Sequence, residues 1–100
     1  MKSKETEISK IERTHIRVAG LVQGVGYRKF VVFHALRLDL AGFCKNLPSG
    51  EVEIEAEGPP ENIKELIKHL HAGPVRGKVE KVTASFSLQP QFEQGFTIRY

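Results

Sequence analysis

The chain of 100 residues has no tryptophan, one methionine and a single cysteine, Cys44. A lone cysteine excludes an internal disulfide and with it the disulfide-dense secreted scaffolds, so a reducing cytoplasm is the expected setting. No segment comes near the roughly 20 consecutive apolar residues that span a bilayer. The first 12 residues, MKSKETEISKIE, carry charges throughout and lack the apolar stretch of a signal peptide. Lysine and arginine exceed acids by only +3, and no basic run alternates with aromatics. Nucleic acid and membrane are therefore not expected partners, although a small anion is compatible with the charge. The four histidines are scattered, and His69 and His71 lie two apart on a helix, where they do not face each other. Zinc needs three or four convergent ligands, so no metal site is expected.

What is present suits one small domain with a modest core: 40% hydrophobic and 27% charged residues. Residues 1–12 read as a polar extension, mobile or weakly docked, with a short helix as an option. Order is expected from Arg13, giving one domain over 13–100. His15, Arg17 and Ala19 alternate with Ile16 and Val18, a strand period with the last two facing inward. Three glycines follow in GLVQGVG, residues 20–26. Tyr27, Phe30, Val31, His34, Ala35 and Leu38 then repeat at helical spacing along one face. A strand over 42–46 and a turn at Leu47-Pro48-Ser49-Gly50 lead to Val52, Ile54 and Ala56, which alternate with Glu51, Glu53, Glu55 and Glu57. That glutamate face reads as solvated and edge-protecting. Pro59-Pro60 opens a second helix with the stripe Ile63, Leu66, Ile67 and Leu70, and Gly73-Pro74 closes it. Val82, Ala84, Phe86 and Leu88 share one face of a longer strand, and Phe96, Ile98 and Tyr100 form a short last one.

The order βαββαβ, with a fifth short strand, predicts an α+β fold of the ferredoxin-like type: two helices on one face of an antiparallel sheet. Cys44 reads as a small packed apolar residue, not a nucleophile. Tyr27 and Phe30 read as core.

The segment most suggestive of chemistry is Gly20-Leu21-Val22-Gln23-Gly24-Val25-Gly26-Tyr27-Arg28, between a strand and a helix start. Glycines let successive backbone N–H groups face one point. A helix start carries unpaired N–H donors and partial positive charge. No Ser, Thr, Asp or Asn lies between Gly20 and Tyr27 to cap those donors, so an anion is the favoured ligand. Arg28 adds a guanidinium able to grip two phosphate oxygens. The same residues also describe a glycine-rich turn beside a surface arginine. The P-loop lysine and hydroxyl are missing, which makes a Walker-type triphosphatase a poor reading.

The string GLVQGVGYRKF closely resembles the phosphate-binding loop of the acylphosphatase family, usually G-x-V-Q-G-V-G-F-R. The block from Gly42 to Glu53, GFCKNLPSGEVE, is similar to that family's G-W-V-R-N-x-x-D-G-x-V-E. Glu57-Gly58, Gly73-Pro74, Val79-Glu80-Lys81-Val82 and the ending Phe96 to Tyr100 agree as well, so the resemblance covers residues 13–100. It implies two helices on a five-stranded antiparallel sheet and metal-free, cofactor-free hydrolysis of acyl phosphates to carboxylate and inorganic phosphate. It implies that Arg28 binds phosphate, that Asn46 orients the attacking water, and that backbone N–H groups of Gln23, Gly24, Val25, Gly26, Tyr27 and Arg28 cradle the anion. A monomer is expected. Tyr27, Phe43, Cys44, Lys45 and Ser49 depart from the commoner residues, and none of them is at the two matched catalytic positions. Three rival readings stay open: a binding module of the same fold that holds phosphate without turnover, an interaction protein working through residues 1–12, and kinship with the corresponding domain of larger carbamoyl-transferring enzymes.

Overall fold

The computed structural model describes residues 10–100, of Ser87 the backbone alone. The expectations for residues 1–12 fall mainly on 1–9, outside the described residues. Seven elements follow in order: β1 (Glu12–Leu21), α1 (Tyr27–Arg37), β2 (Ala41–Asn46), β3 (Val52–Gly58), α2 (Pro60–Ala72), β4 (Lys78–Leu88) and β5 (Phe96–Arg99). They build one five-stranded sheet in the order β4-β1-β3-β2-β5 with two helices, the ferredoxin-like arrangement that the alternation of patterns predicts. One detail differs. The first four strands pair antiparallel, but β5 runs parallel to β2, with Gly42 beside Phe96 and Lys45 beside Arg99. The sheet is thus mixed. The chain reaches β5 from the opposite edge strand, so β5 takes the direction that its crossing imposes.

The core lies between the sheet and the helices. Ile16 and Val18 of β1, Ile54 and Ala56 of β3, and Ile63, Leu66 and Leu70 of α2 are all buried, as their spacing predicts. Each large aliphatic side chain removed from water contributes about 1.5–3 kcal/mol. On α1 the predicted face is half right. Tyr27, Val31 and Ala35 are buried, while Phe30, His34 and Leu38 are half-buried at its margin. On β4, Val82 and Ala84 pack on the core, but Phe86 and Leu88 stay 49% and 38% exposed. The reason is positional: β4 is an edge strand, and the core cluster reaches Val79, Val82 and Ala84 and stops there.

The glutamate face needs a larger correction. β3 is the central strand, so its glutamates protect no edge. They meet Arg13, His15 and Arg17 on β1. Arg13 bonds Glu55 and Glu57 at 2.8 and 3.0 Å, His15 Nε2 lies 2.8 Å from Glu53, and Arg17 lies 3.5 Å from Glu51. Only once the two strands are paired does the alternation in each become a ladder of cross-strand polar pairs.

Gly42 is held where a side chain cannot go. Its φ is +139°, and a Cβ there would collide with the carbonyl oxygen of Glu55 on the neighbouring strand. Gly42→Ala is therefore expected to destabilise the fold by about 3 kcal/mol or more, read from urea unfolding with an unchanged m-value. A loss below about 1 kcal/mol would contradict the close approach.

The two helices meet through His34 and His69, whose rings stack with centroids 4.0 Å apart and 15° between planes. Burial, the neighbouring His69 and Arg37 all lower the His34 pKa from its ordinary 6.5. Protons then bind the unfolded chain first. This group's contribution to stability is present above pH 6.5 and is lost as pH falls through the lower folded value. Unfolding midpoints at a series of pH values should show that loss in the wild type and a shallower slope in His34→Gln. Equal slopes would contradict the assignment.

Candidate functional site

The site grows from the junction of β1 and α1. Val22, 1% exposed, anchors the chain after the strand. Gly24 and Gly26 then take φ of +76° and +80°, left-handed values that open the loop with nothing above their Cα atoms. Gly26 is the residue before the helix and supplies no side-chain cap, and the first turn holds no acid. The first bond inside the helix is Phe30 N–H to Gly26 O, 3.0 Å. The donors before it stay available, in a loop whose sequence contains nothing to neutralise them.

Three contacts fasten this loop to the β2–β3 hairpin. The Gln23 side-chain amide donates to the carbonyls of Leu47 and Glu51 at 2.8 and 2.9 Å. Those two residues close the turn themselves, Leu47 N–H donating to Glu51 O at 2.9 Å. Cys44 Sγ–H donates to the carbonyl of Arg28, 3.6 Å away. Gln23 is thus a brace between loop and hairpin, a role its sequence position does not reveal. Asn46, last residue of β2 and partner of Val52, sits beside the turn that Gln23 grips. Its Oδ1 is buried and has no hydrogen-bond partner among the described residues. A buried amide oxygen without a partner costs about 1–3 kcal/mol.

Tyr27 is a core residue, as expected: it is 1% exposed and its hydroxyl donates to Leu70 O at 2.9 Å. Burial, with Cys44 nearby, pushes its pKa well above the usual phenol value, so it holds its proton. Cys44 is fully buried, and burial raises its thiol pKa to about 12 in spite of Arg28. It packs as a small apolar residue and is no nucleophile at neutral pH.

A cleft of about 280 Å³ opens over the loop. Of the residues expected at the site, Gly24, Gly26, Tyr27 and Arg28 line it; Gln23, Val25 and Asn46 do not. Val25 is turned toward Gly77. Sequence reasoning missed the rest of the wall, which is Val22, Lys29, and from the far edge of the sheet Ile98 and Tyr100. The Arg28 guanidinium lies over the Tyr100 ring, 5.1 Å from its centroid, within cation–π range. The alternation of Phe96, Ile98 and Tyr100 marks a strand, but only its parallel pairing with β2 brings it to Arg28. Neither Arg28 nor Lys29 pairs with a carboxylate among the described residues, and no Asp, Glu or His side chain among them lines the cleft. No three His, Cys, Asp or Glu side chains converge among the described residues, and no helix among them is long and apolar enough to cross a membrane. The arrangement offers a dianion two cations and a row of backbone donors.

Comparison with known proteins finds relatives in sequence and in fold. The acylphosphatase family model matches residues 14–98. An acylphosphatase of Salinibacter ruber is 40% identical over 88 residues, spanning 88% of this chain and 93% of its own. The crystal structure of acylphosphatase from Bacillus subtilis superposes with a TM-score of 0.87 at 35% identity, covering 91% of this chain and all of its own. Full-length HypF, solved in a phosphate- and nucleotide-bound form, superposes with a TM-score of 0.84 at 28% identity, over 91% of this chain but only 12% of that one.

Proposed function

The chain belongs to the acylphosphatase family, an acyl phosphate hydrolase in fold and sequence, and on that premise we propose how its residues carry out the reaction. Arg28 and the N–H groups of the loop from Gln23 to Arg28 hold the phosphoryl group, and Asn46 orients the water that attacks phosphorus. The observation that carries this reading is the cleft itself: an uncapped helix start, left-handed Gly24 and Gly26, and Arg28 free of any carboxylate among the described residues.

The chemistry suits so sparse a site. The carboxylate of an acyl phosphate leaves without protonation, so no general acid is required. The work is to position water in line and to stabilise charge on the phosphoryl oxygens. The water oxygen forms a bond to phosphorus while the bond from phosphorus to the acyl oxygen breaks, and its electron pair departs with the carboxylate. Asn46 can hydrogen-bond a water through its side-chain amide, but it cannot act as a base. With no Asp, Glu or His side chain among the described residues lining the cleft, and Tyr27 holding its proton, a phosphate oxygen receives the proton of the water. The rate should accordingly show no ionisation of the enzyme in the histidine range, and a sigmoid step in kcat near pH 6–7 would contradict this route. No step calls for a metal. The working unit is one chain in the cytoplasm, a setting that suits the lone Cys44, and its partners are the acyl phosphate and inorganic phosphate.

Loss of benzoyl phosphate, followed by ultraviolet absorbance with EDTA present, tests the proposal. Turnover by the wild type is expected. None, from a folded protein, would leave a phosphate-binding module as the better account.

A further inference from the structure

The chain between β4 and β5 has an unusual task. These strands are consecutive in sequence but form opposite edges of the sheet, so residues 89–95 must cross the ends of β1, β3 and β2. Four inter-strand spacings amount to about 19 Å. The chain from Leu88 to Phe96 reaches about 26–29 Å if fully extended, so the crossing has little slack.

It is pinned midway by buried charge. Glu57 of the central strand, 5% exposed, accepts the N–H groups of Gln91 and Phe92, both at 2.6 Å. Phe92 is held there at φ +54°, a conformation residues other than glycine rarely adopt. Arg13, 1% exposed, joins Glu55, Glu57 and Glu93 at 2.8, 3.0 and 2.6 Å. Burial by itself would lower the pKa of Arg13 and raise that of Glu57. The hydrogen bonds outweigh it in both, so the cluster stays charged. Glu93 passes the restraint on through its second oxygen, 3.3 Å from Arg99 of β5, and the Arg99 guanidinium lies 3.8 Å from the centroid of the Phe43 ring. The next residue is Tyr100, the ring beneath Arg28.

We propose that the cluster of Arg13, Glu57 and Glu93, at the opposite end of the sheet from the cleft, is a positioning device for the substrate phosphate: by pinning the crossing it sets the place of β5 and so holds Tyr100 against Arg28. The inference rests on the reading of Arg28 as the phosphate site. Glu93 and Glu57 are positioning residues that touch no substrate. They act on phosphate affinity, and on kcat much less.

The test is a double-mutant cycle on Glu93→Gln and Tyr100→Ala, with inorganic phosphate binding by calorimetry as the first readout. Each single change should weaken phosphate binding about three- to fivefold, the scale of a cation–π contact. The double variant should be no weaker than the worse single one, because both changes undo the same contact. KM for benzoyl phosphate should rise in step while kcat moves less than about twofold. The Arg28 Nε–H resonance reads the same coupling without ligand: Glu93→Gln should shift it toward its position in Tyr100→Ala. Should Glu93→Gln fold poorly, Arg99→Gln breaks the same relay on the exposed side and should give the same result. Unchanged phosphate affinity and an unmoved resonance in folded Glu93→Gln, or effects that multiply in the double variant, would overturn the proposal. If Glu93→Gln moves the resonance as described but the wild type binds no phosphate, the relay stands and the phosphate site is refuted instead.

Discussion

Arg28→Ala is expected to lower kcat/KM for acyl phosphates by about 10²–10³ or more, with phosphate affinity falling alongside. Arg28 is the charged group placed at an uncapped helix start, and no carboxylate among the described residues neutralises it. Its fork can donate two parallel bonds to phosphoryl oxygens, which no neutral side chain reproduces. Proposed to grip the phosphoryl group in ground state and transition state alike, it should affect both KM and kcat. Arg28→Lys keeps the charge and loses the fork, and should recover only part of the loss. Steady-state kinetics on benzoyl phosphate, with inorganic phosphate as competitive inhibitor, separate the two effects. A folded Arg28→Ala retaining more than about a tenth of wild-type kcat/KM would remove the arginine from the mechanism.

Asn46→Ala should fail differently. A loss of about 10²–10³ in kcat is expected, with KM and the phosphate inhibition constant nearly unchanged. Asn46 does not line the cleft beside Arg28, so removing it leaves phosphate binding in place. What goes is the amide proposed to align the nucleophile. Its Oδ1 is buried and unpartnered among the described residues, a local cost to the fold. The variant should therefore be as stable as the wild type or more so, the trade expected where a group is kept for function. Urea unfolding beside the kinetics checks both halves. A marked loss of stability with kcat intact would make Asn46 a hairpin residue and nothing more.

Much of the molecule is legible in one dimension because the information is periodic or local. Ile16 and Val18, then Val52, Ile54 and Ala56, alternate as strands with one dry face do, and Ile63, Leu66 and Leu70 repeat as a helix requires; all of them are buried. Glycines at 24 and 26 and the missing cap before Tyr27 mark a left-handed, uncapped loop, since backbone freedom and unpaired donors are properties of a few neighbouring residues.

What escaped that reading depends on strands far apart in sequence. Gln23 was expected to contribute a backbone donor, and its side chain also ties the loop to the turn at Leu47 and Glu51. Phe86 and Leu88 alternate like core residues but lie beyond the reach of the core. The glutamates of β3 look solvent-facing until β1 sets Arg13, His15 and Arg17 across from them.

By itself, then, the sequence determined the order of the elements and the inward faces of β1, β3 and α2, because each follows from spacing and residue type within about a dozen positions. The tertiary structure alone decided that β5 runs parallel on the far edge, that Tyr100 meets Arg28, and that Arg13 and Glu57 pin the crossing between. Those outcomes turn on which edge a strand joins and how far a short connection can reach, and neither is written in the local pattern of the chain.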